Sequence, residues 1–121
     1  MNHRKSGRIL SRGRNQRRAL FKTMLGSLIV RERIETTQAK AKELKNMIDQ
    51  LVNKAKKASD ETRRVAVIRE LRKHLPLMAV EKLMTTDFIS RFSVRESGYT
   101  RVVKLEARKG DGAEMAVIEF V

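Results

Sequence analysis

The spacing of apolar residues predicts that most of the chain is helical. From Asn15 to Arg33, and again after Thr37 through Lys57, apolar residues recur every three or four positions. This period places them on one face of an α-helix, so each stretch is predicted to bury an apolar stripe. The buried residues expected on these two helices are Ala19, Phe21, Met24, Leu25, Leu28, Ile29, Ala41, Leu44, Met47, Ile48, Leu51, Val52 and Ala55.

Two further helices are predicted in the middle of the chain. The Asp60-Glu61 pair is a start signal for a helix, and Pro76 ends that helix because proline cannot continue the helical hydrogen-bond pattern. A fourth helix is expected from about Leu77, and it either continues or restarts at Asp87. The inward residues predicted for these helices are Val65, Ile68, Leu71, Leu75, Val80, Leu83, Met84, Phe88, Ile89 and Phe92.

Strand patterns occur between the first two helices and at the end of the chain. Arg33–Thr36 is rich in strand formers, and the hydroxyl of Thr36 or Thr37 is expected to cap the following helix. Thr100–Arg108 alternates between apolar and polar residues, and Met115–Val121 is a second β-rich run, separated from the first by a glycine-rich turn. The residues predicted to form the apolar side of the first run are Val103, Leu105 and Ala107.

Together these patterns predict an α+β protein with the element order α-β-α-α-α-β-β. A small mixed three-stranded sheet is expected to pack on the helices. Residues 15–121 form a single predicted domain, because no linker or internal repeat divides them. Residues 1–14 are predicted to precede that domain as an extended basic arm.

Charge is distributed very unevenly along the chain. The net charge is +14, and nine Lys or Arg residues precede Glu32, which is the first acidic residue. A basic block without neighbouring carboxylates repels itself, and it becomes favourable against a polyanion, where phosphate contacts release condensed counterions. The nine residues are Arg4, Lys5, Arg8, Arg12, Arg14, Arg17, Arg18, Lys22 and Arg31.

The first fourteen residues contain too few apolar groups to order themselves. Only Ile9 and Leu10 are sizeable apolar residues after Met1, and glycine and serine are mixed with the arginines. Such a segment is expected to be extended when unbound. Repeated arginine among small residues favours a role in following a nucleic-acid backbone, and the alternative is a tail that only improves solubility.

The sequence offers little for catalysis, and no enzyme activity, metal or cofactor is predicted. Cysteine is absent, which excludes a disulfide framework and a cysteine-based zinc site. His3 and His74 lack paired-ligand spacing, and His74 is expected to interact with carbonyls at a helix end. Gly110-Asp111-Gly112 lacks the remainder of a phosphate-binding loop and is a turn. Neither a small-molecule substrate nor a membrane partner is predicted, and the protein is expected to be cytoplasmic.

Nucleic acid is the expected partner, bound mainly through its phosphates. The chain has only five aromatic residues, and a platform that stacks bases needs more of them. Arg and Lys on the arm and on helix faces are therefore the expected contacts. A DNA-compacting protein is the alternative, although such proteins need wedge residues and a dimer interface. A small nuclease or RNA-modifying enzyme would need a carboxylate cluster that the chain lacks.

Several short segments, spread over nearly the whole chain, together form a distinctive pattern. They are His3–Arg8 with Leu10, Ser27-Leu28, Glu35–Thr37, Lys40–Leu44, Gly98–Val102, Arg108–Asp111, Met115-Ala116 and Ile118-Glu119. In the same order, these segments resemble the bacterial ribosomal protein L17 family. The likeness implies a structural component of the large ribosomal subunit, within the ribosome in the cytoplasm, that binds the large ribosomal RNA and has no catalytic activity. It also implies neighbouring ribosomal proteins near the exit-tunnel side.

The predicted RNA contacts therefore fall on the arm, on two helices and on one loop. Lysines of the second helix could equally form a solvated face. In the loop Ser97–Arg101, Gly98 would allow close backbone approach, Tyr99 would present a partly exposed ring and Arg101 would supply charge. The alternative is that Tyr99 packs under the sheet. The full set is His3, Arg4, Lys5, Ser6, Arg8, Arg12, Arg14, Arg17, Arg18, Lys22, Arg31, Lys40, Lys42, Lys45, Gly98, Tyr99 and Arg101.

Overall fold

A computed structural model describes residues 13–121, in which five α-helices surround one side of a three-stranded sheet. The predicted α+β class is confirmed. The fourth helix is interrupted after Leu83 and a separate short helix follows it. The elements are α1 (Arg14–Arg31), β1 (Arg33–Thr37), α2 (Gln38–Lys56), a 3₁₀ turn (Lys57–Ser59), α3 (Glu61–His74), α4 (Leu77–Leu83), α5 (Thr86–Ser90), β2 (Thr100–Lys104) and β3 (Met115–Phe120).

Helix α2 is the centre of the fold. It contacts α1 and α3 as well as all three strands, and its apolar face is buried as the periodicity predicted. Because each large aliphatic side chain that leaves water contributes about 1.5–3 kcal/mol, this face supplies a major part of the stability. Its buried residues are Ala41, Leu44, Ile48, Leu51, Val52 and Ala55.

The sheet is antiparallel throughout, so the prediction of a mixed sheet is wrong. The strand order is β1-β3-β2, and β3 is antiparallel to both of its neighbours. Strands β1 and β2 run in the same direction, but β3 lies between them and separates them. The C-terminal strand therefore occupies the middle of the sheet, where its backbone groups are paired on both sides.

The predicted inward face of β2 is the wrong one. Val103 and Leu105 are 45% and 39% exposed, whereas Thr100 is buried and Val102 packs against the core. A slip of one residue moves every side chain of a strand to the other face of the sheet. Here the residues of both faces include valine, so alternation alone did not identify the buried side.

Two predictions about the helices also need correction. Val65 is 61% exposed, although Leu71 and Leu75, farther along the same apolar pattern, are buried. Thr37 does occupy the N-cap position of α2, but its hydroxyl makes no capping hydrogen bond. The amide of Gln38 instead donates to the carbonyl of Glu114, 2.9 Å away, because the loop between β2 and β3 lies beside the start of the helix.

Helix α1 packs closely on α4 at Gly26. A Cβ atom at this position would lie 2.5 Å from Cγ of Pro76, a distance at which atoms overlap. Gly26 therefore permits this close packing, which a larger side chain would prevent. The C-terminal end of α1 is thereby fixed against the body, while its N-terminal end leads toward residues 1–12, which lie outside the described part of the chain.

Glu32 fixes the corner between α1 and β1. Its φ of 64° is in the left-handed region, and its amide donates to the carbonyl of Leu28 at 2.7 Å. The carboxylate pairs with Arg91 and accepts from Lys82 Nζ at 3.0 Å. Hydrogen bonds from Arg91 and then Lys82 lower the pKa of the Glu32 carboxyl. Two cations are thus bound within the fold at this corner.

Candidate nucleic-acid interface

The N-terminal half of α1 presents a group of cations that the fold does not neutralise. Arg14, Arg18 and Lys22 are exposed and Arg17 is half-buried. Within residues 13–121, none of these four side chains forms an ion pair with a carboxylate. They follow one another at intervals of one to four residues, so they extend over the first three turns of a single helix.

This arrangement is unfavourable for the helix itself. The N-terminal end of a helix carries partial positive charge, which favours acidic residues in the first turn and disfavours basic ones. Helix α1 has no acidic residue there, and Gly13 at the N-cap provides no side-chain acceptor. An anion at this end of α1 would therefore be attracted by both the side chains and the backbone.

Arg17, Arg18 and Lys22 also line a cleft between α1 and α2. The cleft has a volume of about 820 Å³. Its floor is apolar, because Phe21 and Leu25 are buried beneath it, and Met47 of α2 is half-buried beside them. The remaining α2 side chains along the cleft are Glu43, Asn46 and Gln50.

The end of α3 adds Lys73 and His74 to the cleft. Both interact with Glu70, at 3.3 Å from Lys73 Nζ and 3.8 Å from His74 Nε2, and Glu70 also accepts from Lys54 at 3.3 Å. The hydrogen bond from Lys54, followed by that from Lys73, lowers the pKa of the Glu70 carboxyl. Glu70 therefore stays ionised and positions the two basic side chains at the edge of the cleft.

Lys73 and His74 line the cleft, and the sequence did not predict them as site residues. His74 was expected to interact at a helix end, and the structure does place it in the last turn of α3. Its position beside α1 depends on how α3 packs against α2, a long-range contact that has no local signal in the sequence.

The other predicted basic contacts are distributed around the fold. Lys40, Lys42 and Lys45 of α2 do not line the cleft, and Lys42 lies near the loop between β2 and β3. Arg31 is exposed at the far end of α1, about 25 Å along the helix from Arg14. The structure therefore brings Arg17, Arg18 and Lys22 together at the cleft. The three α2 lysines and Arg31 lie apart from this group. His3, Arg4, Lys5, Ser6, Arg8 and Arg12 lie outside the described residues.

The loop before β2 is attached to α2 through its backbone. Gly98 has a φ of 68°, in the left-handed region that glycine adopts without strain. Its amide donates to Asp49 Oδ2 at 3.2 Å, and the amide of Tyr99 donates to Oδ1 of the same carboxylate at 3.3 Å. The backbone angle of Gly98 therefore serves a contact inside the protein, which turns two successive amides toward one side chain.

The expectation of an exposed Tyr99 ring is wrong, and the alternative of a buried ring is correct. Tyr99 is 0% exposed and makes an edge-on contact with Phe92. Its hydroxyl accepts from Lys56 Nζ at 3.0 Å and lies within hydrogen-bond reach of Asn53 Oδ1 and the carbonyl of Arg95. A ring enclosed in this way cannot stack on a base. The polar surroundings of its hydroxyl come from α2, which the sequence alone did not connect to this loop.

Arg101 lies on the outer face of the sheet and is paired within the protein. Its Nε is 2.8 Å from Glu119 Oε1, while Arg33 Nε is 3.5 Å from Oε2 of the same residue. These three residues are opposite one another in the strand register. The side chain of Arg101 is still 62% exposed, so its remaining N–H groups face solvent.

The described residues show neither a metal site nor a membrane span. Residues 13–121 contain no group of three or more His, Cys, Asp or Glu side chains arranged to hold a metal ion. Among the helices of the same part of the chain, none is both long and apolar enough to cross a bilayer.

Comparison with known proteins gives a consistent result over almost the whole chain. The family model described as "Ribosomal protein L17" matches residues 20–121. This range includes most of α1 and every element that follows it, and it leaves Arg17 and Arg18 of the cleft outside the match.

Bacterial relatives match at 42–45% identity over the full length of the chain. The "Large ribosomal subunit protein bL17" of Thermodesulfovibrio yellowstonii is 45% identical over 121 residues, which are 100% of this chain and 87% of that protein. The protein of the same name from Desulforapulum autotrophicum is 42% identical over 123 residues, covering 100% of this chain and 97% of its own length. The match includes residues 1–19, which the family model does not cover.

Proposed function

The chain belongs to the ribosomal protein L17 family, and we propose that it binds the large ribosomal RNA through the basic face of α1 and the arm that precedes it. As a member of this family it is a structural constituent of the large ribosomal subunit, and the family is a structural, non-enzymatic class of protein. Ribosomal RNA and other ribosomal proteins are its partners. The proposal therefore concerns which residues make the RNA contacts.

The observation that carries the proposal is that Arg14, Arg17, Arg18 and Lys22 have no carboxylate partner within residues 13–121. A surface cation that already has a carboxylate partner must lose that partner before it binds phosphate. These four need no such exchange, and each phosphate they neutralise would release condensed counterions from the RNA. They are also held on a rigid helix, which reduces the entropy that binding would otherwise cost.

Residues 1–12 extend the same basic surface in sequence. Four of the nine leading cations lie there, namely Arg4, Lys5, Arg8 and Arg12, with no carboxylate among them. We propose that this arm and α1 follow one continuous stretch of RNA backbone. Other predicted contacts would then reach RNA outside this stretch, namely Lys40, Lys42, Lys45, Arg31 and Arg101. The cytoplasmic ribosome is the proposed location, with neighbouring proteins near the exit-tunnel side, as the family likeness implies.

A DNA-compacting function is the alternative that charge alone would allow. It needs an apolar wedge that enters the minor groove, whereas the apolar residues beside Arg17, Arg18 and Lys22 include the buried floor of the cleft, Phe21 and Leu25. Filter binding of the full chain to large-subunit RNA fragments and to duplex DNA of equal length distinguishes the two functions. We expect a clear preference for the RNA fragments, and stronger binding to the duplex would contradict the proposal.

The salt dependence of RNA binding tests the electrostatic account. If most of the leading cations reach phosphates, log K should fall against log salt with a slope of roughly −4 to −7. Deleting residues 1–14 should flatten that slope. A slope near −1 for the full chain, measured by the same filter assay, would show that phosphate contacts do not dominate.

A further inference from the structure

We propose that the cleft between α1 and α2 receives one unstacked nucleotide of the ribosomal RNA. This inference rests on the proposed function and adds a specific site to it. The cleft combines cationic walls, an apolar floor and free amide side chains, and these three features match the three chemical parts of a nucleotide. General attraction of phosphate would need only the first of them.

The cationic walls suit the phosphates on both sides of such a nucleotide. Arg17, Arg18 and Lys22 stand on α1, and Lys73 stands at the end of α3 on another side of the cleft. Glu43 is the one carboxylate among the residues that line it, so cations predominate. A chain that enters past α1 and leaves past α3 would have a cation near each phosphate.

The floor suits the ring of a base. Phe21 and Leu25 form an apolar surface below the cations, and the half-buried thioether side chain of Met47 completes it from α2. A flat, weakly hydrated ring loses little on leaving water for such a surface, whereas a phosphate loses much. The volume of about 820 Å³ is within the range of about 300–1,000 Å³ typical of pockets that enclose small organic molecules.

The rim carries groups that can recognise the edge of a base. Asn46 and Gln50 are exposed and lie one turn apart on α2, both on the cleft. Neither side-chain amide makes a hydrogen bond to any residue in the range 13–121. An amide offers both a donor and an acceptor, which is the pattern needed to pair with the polar edge of a base.

Two other occupants fit the cleft less well. An RNA duplex presents phosphates and ribose, while its bases are stacked inside and cannot reach the floor. An acidic peptide matches the walls but makes no use of the amides on the rim, and the experiment below includes it as a separate outcome.

A single introduced cysteine can report occupation of the cleft directly. The chain contains no cysteine, so Met47→Cys creates a unique thiol on the floor, and Ala66→Cys creates one on an exposed part of α3 away from the cleft. The labelling rate of each full-length variant by neutral iodoacetamide is measured during titration with RNA. The ligands are the four single-base RNA hexamers, an abasic hexamer of equal charge, a short RNA duplex and an oligoglutamate peptide.

We expect at least one of the four hexamers to slow labelling of the Met47→Cys thiol by about tenfold when the hexamer is present at ten times its Kd. At that concentration only about one-eleventh of the clefts are empty. The abasic hexamer and the duplex should slow it far less, and the Ala66→Cys thiol should be unaffected. Asn46→Cys provides a second thiol at the rim if the Met47→Cys variant unfolds, as judged by circular dichroism.

Three results would overturn the inference. Protection by the abasic hexamer or the duplex equal to that by every base-bearing hexamer would mean that the cleft binds phosphate without a base. Stronger protection by oligoglutamate would identify a protein-binding cleft. A fully reactive Met47→Cys thiol on a chain that binds large-subunit RNA, measured by fluorescence anisotropy on the same samples, would reject the cleft while leaving the proposed function intact. Failure to bind the RNA at all would instead reject the proposed function.

Discussion

The N-terminal half of α1 and the loop at residues 97–101 have similar signals in the sequence, but the fold uses them in opposite ways. Both contain arginine near small or polar residues. On α1, the cations have no carboxylate partner within residues 13–121, and Gly13 at the N-cap provides no side-chain acceptor. In the loop, Asp49 holds two backbone amides, Tyr99 is enclosed and Arg101 is paired with Glu119.

This difference lies in how the fold pairs its cations. Glu32, Glu70 and Glu119 each bind two or more cations inside the protein. Within residues 13–121 the cations in the N-terminal half of α1 have no comparable partner, although their position near the helix start opposes the helix dipole. Helix α3 has the opposite arrangement, with Asp60 as its cap, Glu61 in its first turn and basic residues in its last. The charges of α3 therefore complement its helix dipole, and those at the start of α1 oppose theirs.

The largest expected effect is the loss of stability on removing the Tyr99 ring. Such a loss would show that the loop has a structural role. Tyr99→Ala should lower the free energy of unfolding by about 3–5 kcal/mol, as for other buried aromatic residues replaced by alanine. Tyr99→Phe should cost about 1–3 kcal/mol, since Lys56 and Asn53 lose a buried hydrogen-bond partner. Urea denaturation measures both, with the fully exposed Val94→Ala as a control expected to change little. An unfolding free energy unchanged by Tyr99→Ala would contradict the buried position.

The second-largest effect is expected on α1, where substitutions should reduce RNA affinity without reducing stability. Replacing Arg17, Arg18 and Lys22 by alanine should weaken binding to large-subunit RNA by about 2–4 kcal/mol, at roughly 1 kcal/mol for each charged contact. The salt slope should flatten by about 2–3. The unfolding free energy should stay the same or rise slightly, because like charges leave the positive end of a helix.

A charge-matched control separates this effect from the loss of net charge. The variant Lys57→Ala, Arg69→Ala, Arg72→Ala also removes three exposed cations, none of which lines the cleft. Filter binding should give this control a smaller loss of affinity and a smaller change of slope. Equal losses in the two triple variants would mean that α1 has no special role and that net charge alone determines binding.

The sequence predicted the helices well because each buried stripe is a local pattern. The apolar face of α2 and the ends of α3 at Asp60 and Pro76 depend on residues close together in the chain. The basic character of the first thirty residues is likewise visible by inspection. These local signals were sufficient to predict the α+β class and the surface of α1 as a candidate interface.

What the sequence could not predict depends on contacts between distant segments. The central position of β3 is decided by its pairing with β1, whose residues lie 78 to 86 positions earlier in the chain, and local alternation gives no information about it. The environment of Tyr99 is created by Asn53 and Lys56, which belong to α2. The cleft needs the end of α3 to lie beside α1. In each case the outcome follows from tertiary packing and not from a local motif.

A smaller effect is expected at Arg101, which tests whether a paired cation can still contact RNA. Arg101→Ala should weaken RNA binding by about 1 kcal/mol, at the low end for a charged hydrogen bond, because Glu119 already neutralises part of its charge. Glu119→Gln should have the opposite sign and strengthen binding slightly, since it frees both Arg101 and Arg33. Fluorescence anisotropy with large-subunit RNA measures both variants. Unchanged affinity in both would remove the sheet face from the interface and leave α1 and the arm as the binding surface.

The smallest effect is expected at Glu32, where two cations are bound inside the fold. Because Arg91 and Lys82 lower the pKa of this carboxyl in the folded state, its stabilising contribution is present above its ordinary pKa of 4.5. That contribution is lost as pH falls toward the folded-state pKa. Glu32→Gln should therefore cost less than about 1 kcal/mol at neutral pH, as for a partly exposed ion pair, and the difference from the parent should shrink at acidic pH. The substitution retains the backbone position and side-chain size, so urea denaturation at several pH values isolates the effect of the charge.

The α1 triple variant should show no such pH-dependent difference, since none of the three cations that it lacks has a carboxylate partner in the described chain. A pH-dependent difference for that variant as large as that for Glu32→Gln would mean that the α1 cations are also paired within the protein.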